Sequence, residues 1–592
     1  MRKRRGDQEN NKNQRYNPYD TEEFRINLDS SYDPIDGDDP EDIDYGGYNG
    51  SDGQNYYDDD SYIEEPDDYS SASDETRIYG GIDDRTEIYG GYEPFQDETD
   101  DNNETDHLKT PPEPESEDNR KQKKKQNRQI MVVMYSILAI FVAMIGYFTY
   151  FDIIQRDTFI NSSSNRRIAK LSDTVIRGSI LASDGTVLAE TLVDDEGNET
   201  RSYPYKNIFA HVVGTSEINK SGLEQSSEFE LLTSSLNPLQ QAYNQLRGEK
   251  NMGDSIVTTM DVGLQQAAYQ ALGSQDGVVI AIEPSTGKVL AMVSKPDYDP
   301  NTLAEDYESI ISDTNSKVLL NQATYGQFAP GSIFKIITAL AYMREYPDYE
   351  NYAYQCGGAI SLSSGAGHVN LSCYANTIHG YENFESSFAN SCNASFANMG
   401  LSLNFDIWTD TAQDLLFNQS LPADFSCSRS SFELDDDMTE WEIGATAIGQ
   451  GTTVVTPMHM AMVTSAIANG GVLMEPYLVD GVQNADGAGV SIHNPSSSGT
   501  MMTTEEASKL TEMMKSVITE GTGTALNNMG YEIAGKTGTA ETESSGNNAW
   551  FVGFAPADDP QIAICVLVEN AETSSSYVAV PIARQLFAEY LQ

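Results

Sequence analysis

The sequence feature that most constrains this chain is an uncharged, mostly apolar run over residues 130–151. Its length, roughly 20 residues, is what a helix needs to cross the hydrocarbon core of a bilayer. Tyrosines lie towards its ends, where aromatic side chains favour the membrane–water interface: Tyr135, Tyr147 and Tyr150. A buried core helix is the alternative, but no preceding element could cover it. We therefore expect one membrane-spanning helix with separate segments on its two sides.

A basic segment over residues 120–129 precedes this run, and its charges are Arg120, Lys121, Lys123, Lys124, Lys125 and Arg128. Positive charge beside a membrane helix marks the cytoplasmic side. The N-terminal part is therefore predicted to be cytoplasmic, and the chain after residue 151 extracytoplasmic. A cleaved signal peptide would lie near residue 1 and end in small residues, so we expect an uncleaved, single-pass signal-anchor over residues 130–151.

Residues 1–119 are rich in Asp, Glu, Asn, Ser, Gly and Tyr and poor in aliphatic side chains. Such a segment cannot bury enough apolar area to offset the entropy of ordering, which predicts a disordered acidic tail. It contains Thr-x-Ile-Tyr-Gly-Gly twice, at Thr76 and at Thr86. Phosphorylation there could recruit a phosphothreonine-binding protein, although a solvating tail without specific partners is the simpler reading. The formal net charge of −55 excludes nucleic acid as an expected partner.

The cysteines and histidines indicate neither a disulfide framework nor a metal site. Five Cys and six His are scattered over 592 residues, with no C-x-x-C and no H-E-x-x-H pattern. Cys356 and Cys373 flank a Gly/Ser-rich loop and could pair outside the cell, whereas Cys392 is expected to be a buried thiol. We therefore expect no metal.

The candidate nucleophile lies in the stretch from Gln327 to Ile337, where Pro330 and Gly331 precede an apolar helical segment that begins at Ser332. Residues three apart share a helix face, so Ser332 and Lys335 point the same way. A desolvated lysine can take the proton of a serine hydroxyl, and a helix N-terminus stabilises an oxyanion. S-x-x-K alone is weak evidence, because Ser332 could be only a helix cap.

Two later stretches strengthen the catalytic interpretation: Ser391-Cys392-Asn393, and Lys536-Thr537-Gly538-Thr539. S-x-x-K, S-x-N and K-T-G in this order are marks of penicillin-binding proteins and class A β-lactamases. From about residue 161 onwards the chain resembles the class B, monofunctional penicillin-binding proteins, most closely their penicillin-binding protein A group. The resemblance implies a bacterial membrane protein without a cofactor.

The resemblance also implies a role for each motif residue. Ser332 would be the nucleophile and Lys335 its base, while Ser391 would relay a proton towards the leaving amine. Asn393 would hold the substrate amide, and Lys536 would supply positive potential. Three further residues would bind substrate on an edge strand: Thr537 and Thr539 at the terminal carboxylate, with Gly538 leaving room for a ligand. The N–H groups of Ser332 and Thr539 would form the oxyanion hole.

The expected fold is an α/β (α+β) penicillin-binding transpeptidase fold, like that of serine β-lactamases, over residues 253–592. Its antiparallel sheet, covered by helices, is predicted from a hairpin over 277–283 and 288–293, strands over 549–555 and 561–568, and a closing helix over 579–591. Residues 152–252 should form a small extracytoplasmic pedestal domain. It should contain a hairpin that turns at Asp184-Gly185 and two family-like motifs, Arg177-Gly178-Ser179-Ile180 and Ser221-Gly222-Leu223-Glu224.

The resemblance implies a peptidoglycan D,D-transpeptidase that cross-links stem peptides and is inhibited by β-lactams. Cell-wall synthesis or division proteins would be its partners. A D,D-carboxypeptidase or β-lactamase, in which water takes the acyl group, is one alternative. A non-catalytic β-lactam sensor or divisome scaffold is another. The motifs do not distinguish water from an amine as the acyl acceptor.

Overall fold

The computed structural model describes residues 116–150, 170–365, 367–541 and 546–592. The Thr76 and Thr86 repeat and nearly all of the acidic tail lie outside these residues. The apolar run is part of one helix of 34 residues, α1 (Glu117–Tyr150), which also contains the basic segment. None of its residues is buried, and it is long and apolar enough to cross a membrane.

The strands are β1 (Val175–Ile176), β2 (Ile180–Leu181), β3 (Val187–Val193), β4 (Glu199–Ser202), β5 (Asn251–Met252), β6 (Ser255–Thr258), β7 (Gly277–Ile282), β8 (Val289–Lys295), β9 (Ala353–Cys356), β10 (Ala359–Ser364), β11 (Gly367–Ser372), β12 (Gly380–Asn383), β13 (Val472–Met474), β14 (Val479–Gln483), β15 (Gly489–Ile492), β16 (Ser497–Thr500), β17 (Ala534–Glu541), β18 (Asn547–Ala555) and β19 (Ile562–Ala571).

The helices that follow α1 are α2 (Ala210–Val213), α3 (Gly222–Ser226), α4 (Glu228–Leu231), α5 (Pro238–Arg247), α6 (Val262–Leu272), α7 (Leu303–Ser312), α8 (Lys335–Glu345), α9 (Phe384–Ala389), α10 (Asn393–Ser402), α11 (Phe405–Asp414), α12 (Glu440–Ala447), α13 (Pro457–Ala468), α14 (Thr504–Thr519) and α15 (Ala579–Leu591).

A five-stranded antiparallel sheet in the order β17-β18-β19-β7-β8 forms the centre of the C-terminal part. The sheet packs against α6, α13 and α15, and alternate side chains of β18 point to its opposite faces. Phe551 packs edge-to-face on Phe587 of α15. Trp550, on the opposite face, donates from its indole nitrogen to the Ala329 carbonyl at 3.0 Å. The predicted hairpin, C-terminal strands and closing helix are confirmed, and β17 is an edge strand.

A second sheet of six strands, in the order β15-β14-β6-β2-β3-β4, combines segments that are distant in the sequence. The predicted hairpin is confirmed: β2 and β3 pair antiparallel, Gly185 has a φ of +85°, and Thr186 N donates to Asp184 Oδ1 at 2.9 Å. The sheet continues across the predicted boundary between residues 252 and 253, because β6 pairs with β2 on one side and β14 on the other. The domain limits themselves stay a prediction.

A buried ion-pair network connects the two family-like motifs of the pedestal. Glu224 is fully buried and accepts from Arg177 Nε at 2.6 Å and from Arg201 Nε at 2.7 Å. Arg201 Nη1 also donates to the Gly178 carbonyl at 2.7 Å. A buried carboxylate needs partners of this kind to offset the loss of hydration. Arg177 and Glu224, which stand 47 residues apart, are therefore partners in one network.

Candidate active site

Ser332 lies in a 3₁₀ turn, Gly331–Phe334, that leads directly into α8. The predicted helix is thus present, but its first turn is tighter than an α-helix. Gly331 has a φ of +54°, which favours glycine, and a Cβ there would lie 2.7 Å from the Thr539 carbonyl oxygen of β17. Gly331 N donates to the carbonyl of Gly449 at 2.8 Å. These close backbone contacts position Ser332 against the edge strand.

Lys335, the second motif residue, is fully buried and makes three hydrogen bonds to the S-x-N motif. Its Nζ donates to the Ser391 carbonyl at 2.7 Å, to Ser391 Oγ at 3.1 Å and to Asn393 Oδ1 at 2.7 Å. Asn393 Nδ2 donates in turn to the Ser372 carbonyl at 2.9 Å. The second hydrogen on that nitrogen leaves Asn393 able to hold a substrate carbonyl as well.

Lys536 approaches the same serine from β17. It is fully buried, and its Nζ donates to Ser391 Oγ at 3.0 Å and to the Thr537 carbonyl at 3.0 Å. One hydroxyl group therefore lies between two lysine nitrogens. Three motifs that are far apart in the sequence therefore meet at Ser391. The residues that stay partly exposed are Ser332, Ser391 and Asn393.

Burial controls the electrostatics of this pair of lysines. It lowers the pKa of Lys335 to about 8, although the nearby thiols of Cys392 and Cys373 oppose the shift. Burial holds the pKa of Lys536 well below its usual value, and repulsion by the Lys335 ammonium lowers it further. Within the described residues, neither lysine forms a salt bridge with a carboxylate. The pair is therefore suited to carry fewer than two protons near neutral pH.

A side chain at position 538 would collide with the protein itself. A Cβ there would lie 2.9 Å from Ile333 Cγ2 and 3.0 Å from Ile333 N. The 3₁₀ turn of Ser332 occupies that side of β17, which is a reason for glycine that sequence reasoning missed; a close approach by a ligand at Gly538 stays a prediction. The threonines on either side make contacts that sequence reasoning missed: Thr537 Oγ1 lies 2.5 Å from Thr522 Oγ1, and Ser575 N donates to Thr539 Oγ1 at 3.5 Å.

The family model for the penicillin binding protein transpeptidase domain matches residues 277–588, more than half of the chain, and this range contains the whole site described above. The chain belongs to the penicillin-binding protein transpeptidase family. A second model, for the penicillin binding protein A dimerisation domain, matches residues 177–256. The resemblance to penicillin-binding proteins that the three motifs indicated is thereby confirmed.

Other members of the penicillin-binding protein family are similar over most of the chain. The peptidoglycan D,D-transpeptidase PbpA of Mycolicibacterium smegmatis is 30% identical over 497 residues, which cover 78% of this chain and 98% of the relative. Penicillin-binding protein A from M. tuberculosis, solved as a ceftriaxone acyl-enzyme complex, is 29% identical with a TM-score of 0.65, covering 72% of this chain and 100% of that one.

A third member, the D,D-transpeptidase domain of a peptidoglycan glycosyltransferase from Eggerthella lenta, is 29% identical with a TM-score of 0.63. The match covers 70% of this chain and 98% of that domain. The predicted penicillin-binding transpeptidase fold is confirmed by these structures.

The cysteines of this penicillin-binding protein depart from the sequence expectation of scattered residues. Cys356, Cys373, His379 and Cys392 come together, with their ligand atoms all within 4.8 Å of one another. No disulfide joins any of the five cysteines, all of which lie in the described part of the chain. The grouping escaped sequence reasoning because the residues follow no local motif. Only the tertiary contacts of β9 to β12 bring them beside the S-x-N motif.

Proposed function

We propose that this chain is a membrane-anchored peptidoglycan D,D-transpeptidase that works through an acyl-enzyme on Ser332 and is inhibited covalently by β-lactams. The observation that carries the proposal is the position of Ser391 Oγ, 3.1 Å from Lys335 Nζ and 3.0 Å from Lys536 Nζ. Similarity to named peptidoglycan D,D-transpeptidases and to a β-lactam acyl-enzyme complex supports it. The acyl donor is a stem peptide that ends in D-Ala-D-Ala.

Acylation begins when the hydroxyl oxygen of Ser332 attacks the penultimate carbonyl of the donor. Lys335 in its neutral form takes the hydroxyl proton. A desolvated amine with a pKa of about 8 has a substantial neutral fraction at physiological pH. Ser391 passes a proton to the amine of the departing D-Ala, and its contact with both lysines suits that relay. An amine of a neighbouring strand then attacks the ester and regenerates Ser332.

The edge strand β17 supplies the substrate-binding side of the proposed site. An extended peptide can add to an unpaired strand edge by main-chain hydrogen bonds. Lys536 gives positive potential, and the hydroxyls of Thr537 and Thr539 bind the terminal carboxylate. The N–H groups of Ser332 and Thr539 form the oxyanion hole, a type of donor whose loss lowers the rate on the order of 100-fold or more.

The test uses the full-length protein in detergent with a donor stem peptide, an acceptor amine and, separately, a fluorescent penicillin. We expect an amide product, and an adduct that peptide mapping assigns to Ser332. Ser332→Ala should abolish both, whereas the matched variant Ser274→Ala, in an exposed turn after α6, should leave both unchanged. Release of D-Ala with only hydrolysed donor would identify a carboxypeptidase. An adduct without any turnover of stem peptide would identify a sensor or scaffold.

The same proposal includes an N-terminus in the cytoplasm and a catalytic part outside, supported by the basic residues on the N-terminal side of α1. Protease added to intact spheroplasts should digest the catalytic part and spare the tail. Digestion of the tail instead would show that the orientation is the reverse.

For Thr76 and Thr86 we propose a phosphothreonine-binding partner in the cytosol, besides cell-wall synthesis or division proteins. Identical captures by phosphorylated and unphosphorylated peptides would contradict the phosphothreonine partner.

A further inference from the structure

A compact group of three thiols and one imidazole lies directly behind the S-x-N motif. Cys356 ends β9, Cys373 follows β11, His379 precedes β12 and Cys392 stands immediately before α10. The three cysteines are fully buried and His379 is partly exposed. They come from four separate places in the chain, so packing of one element cannot explain their convergence. The thiols form a small cluster of their own, apart from the main hydrophobic core.

The distances within this group match those of a tetrahedral metal site. Cys373 Sγ lies 3.7 Å from both Cys356 Sγ and Cys392 Sγ, and Cys356 Sγ lies 3.5 Å from His379 Nδ1. A tetrahedral zinc ion, with Zn–S near 2.3 Å and Zn–N near 2.0–2.1 Å, separates its ligand atoms by about 3.8 Å (S–S) and about 3.5 Å (S–N). These three contacts therefore have the lengths of three edges of a zinc tetrahedron, and all the ligand atoms lie within 4.8 Å of one another.

We propose that Cys356, Cys373, His379 and Cys392 bind one zinc ion in a closed, structural Cys₃His site. Three thiolates and an imidazole are a donor set that zinc prefers, and four protein ligands leave no open position for catalysis on the metal. A disulfide would use only two of the three thiols. It would leave the third thiol and the imidazole without a reason to converge on the same point.

The site adjoins the catalytic machinery through two of its ligands. Cys392 stands between Ser391 and Asn393, both of which accept hydrogen bonds from Lys335. Cys373 follows Ser372, whose carbonyl accepts from Asn393 Nδ2 at 2.9 Å. Ser391 also has a φ of +53°, a left-handed conformation that is unfavourable for a serine and must be held by its surroundings. Zinc on Cys392 and Cys373 would hold both sides of this loop.

It follows that the metal positions Ser391 and Asn393 without touching substrate. This second step rests on the proposed function, whereas the metal site itself does not. Cys356 and His379 are then positioning residues, since they act through the metal on Cys392. Loss of ligands or partners at this distance from the chemistry lowers activity on the order of 10-fold to 100-fold.

The experiment measures metal and acylation separately on the full-length protein in detergent. Elemental analysis should find one zinc per chain. Cobalt(II) exchanged into the metal-free protein should show the intense absorption of a tetrahedral thiolate site. Cys356→Ser and His379→Asn should lose the zinc and the cobalt spectrum. Cys427→Ser and Cys565→Ser, which alter cysteines outside the group, should keep both.

Acylation of metal-free protein by fluorescent penicillin should be slower by on the order of 10-fold and should recover with zinc but not with magnesium. Absence of zinc together with failure to bind added zinc in competition with a chelator would overturn the site. A native disulfide between any two of Cys356, Cys373 and Cys392 would do the same. Normal acylation of metal-free protein would overturn the positioning role alone. Bound zinc in a protein that penicillin never acylates would leave the site intact and refute the proposed function.

Discussion

Ser391 and its two lysines show how single residues determine the chemistry of this molecule. Neither Lys335 nor Lys536 has a carboxylate partner among the described residues, so burial is the largest influence on the pKa of each and lowers both. A serine hydroxyl is the shared acceptor of both nitrogens. Protonation of one lysine opposes protonation of the other, which is the condition for a base that works near neutral pH.

The rate of acylation by penicillin should rise with pH through a midpoint of about 8. Below that pH the Lys335 amine is protonated and cannot accept the Ser332 proton, and above it the amine is free. The second-order rate constant of the full-length protein, measured from about pH 6 to pH 10, tests this. Lys335→Arg, which stays charged, should show no such rise. A flat profile in the unaltered protein would contradict the assignment of Lys335 as base.

The two lysines should differ when each is replaced by alanine. Lys335→Ala should abolish acylation, because it removes the proposed base for Ser332. Lys536→Ala should chiefly raise the concentration of stem peptide needed for half-maximal rate, because it removes positive potential beside the substrate carboxylate. Saturation kinetics on both variants separate the two effects. Near-native acylation by Lys335→Ala at neutral pH would show that another group is the base.

A histidine outside the site should limit stability in acid. His459 in α13 is fully buried, with Nδ1 2.7 Å from Ser430 Oγ and Nε2 2.6 Å from the Leu415 carbonyl oxygen. Burial lowers its pKa from 6.5 to about 4. The unfolded chain therefore binds a proton between these values while the native chain does not. The contribution of His459 to the free energy of unfolding is therefore fully present above pH 6.5. It is lost as the pH falls towards 4, by up to about 3 kcal/mol.

Chemical unfolding of the full-length protein at pH 7 and near pH 4.5 measures this loss. The variant His459→Gln should be less stable at neutral pH but should lose less stability between the two values. An equal loss in both proteins would show that other groups cause the acid sensitivity.

At the scale of elements, the active site is the junction between β17 and the 3₁₀ turn Gly331–Phe334. Two glycines permit this approach, one on each element: Gly331 faces the Thr539 carbonyl, and Gly538 faces Ile333. The contact brings Ser332, the proposed nucleophile, beside the open edge of the sheet. Small displacements of β17 should therefore alter catalysis more than stability.

Gly538→Ala is expected to lower the acylation rate by on the order of 10-fold or more. The added Cβ would lie 2.9 Å from Ile333 Cγ2, so β17 or the Ser332 turn must shift. Gly489→Ala is the matched control, because it also lies on a strand and its Cβ would meet no atom within 4 Å. Rate measurements with fluorescent penicillin, alongside thermal melting, distinguish displacement from unfolding. An unchanged rate in Gly538→Ala would show that this contact is not critical.

At the scale of the whole molecule, the residues predicted to form a pedestal and those of the transpeptidase part share structure. The six-stranded sheet takes β2, β3 and β4 from the pedestal sequence and β6, β14 and β15 from the rest. One hydrophobic core includes side chains of both, such as Leu188 and Leu231 with Val279 and Phe551. We therefore expect residues 170–592 to unfold as one cooperative unit rather than domain by domain.

Glu224→Gln tests that cooperativity. Removal of the buried charge leaves Arg201 without its ionic partner and Arg177 with Glu228 alone, at a cost of about 3–5 kcal/mol. The temperatures at which tertiary structure and penicillin acylation are lost should fall together. Glu199→Gln, which breaks the more exposed pair with Lys250, should change stability by less than about 1 kcal/mol. Loss of the pedestal alone, with acylation preserved, would show two independent units.

Features that depend on neighbouring residues could be predicted from the sequence. The apolar run, the Asp184-Gly185 hairpin, the strands around residues 280 and 560 and the closing helix were all predicted, because each has a local periodicity or turn signal. The three catalytic motifs were also recognisable, since reaction chemistry restricts the residue types at short spacing. The 3₁₀ form of the Ser332 turn was missed because the crowding that favours it comes from β17 and Gly449.

Contacts between residues that are distant along the chain became visible only in the tertiary structure. The hydrogen bonds that join Lys335 and Lys536 through Ser391, the network of Arg177 with Glu224, and the sheet shared by β2, β6 and β14 have no local signal. The same is true of the cysteine–histidine group, which looked scattered in the sequence. Burial, pKa values and ligand geometry are properties of the packed interior, and they arise only when these segments meet.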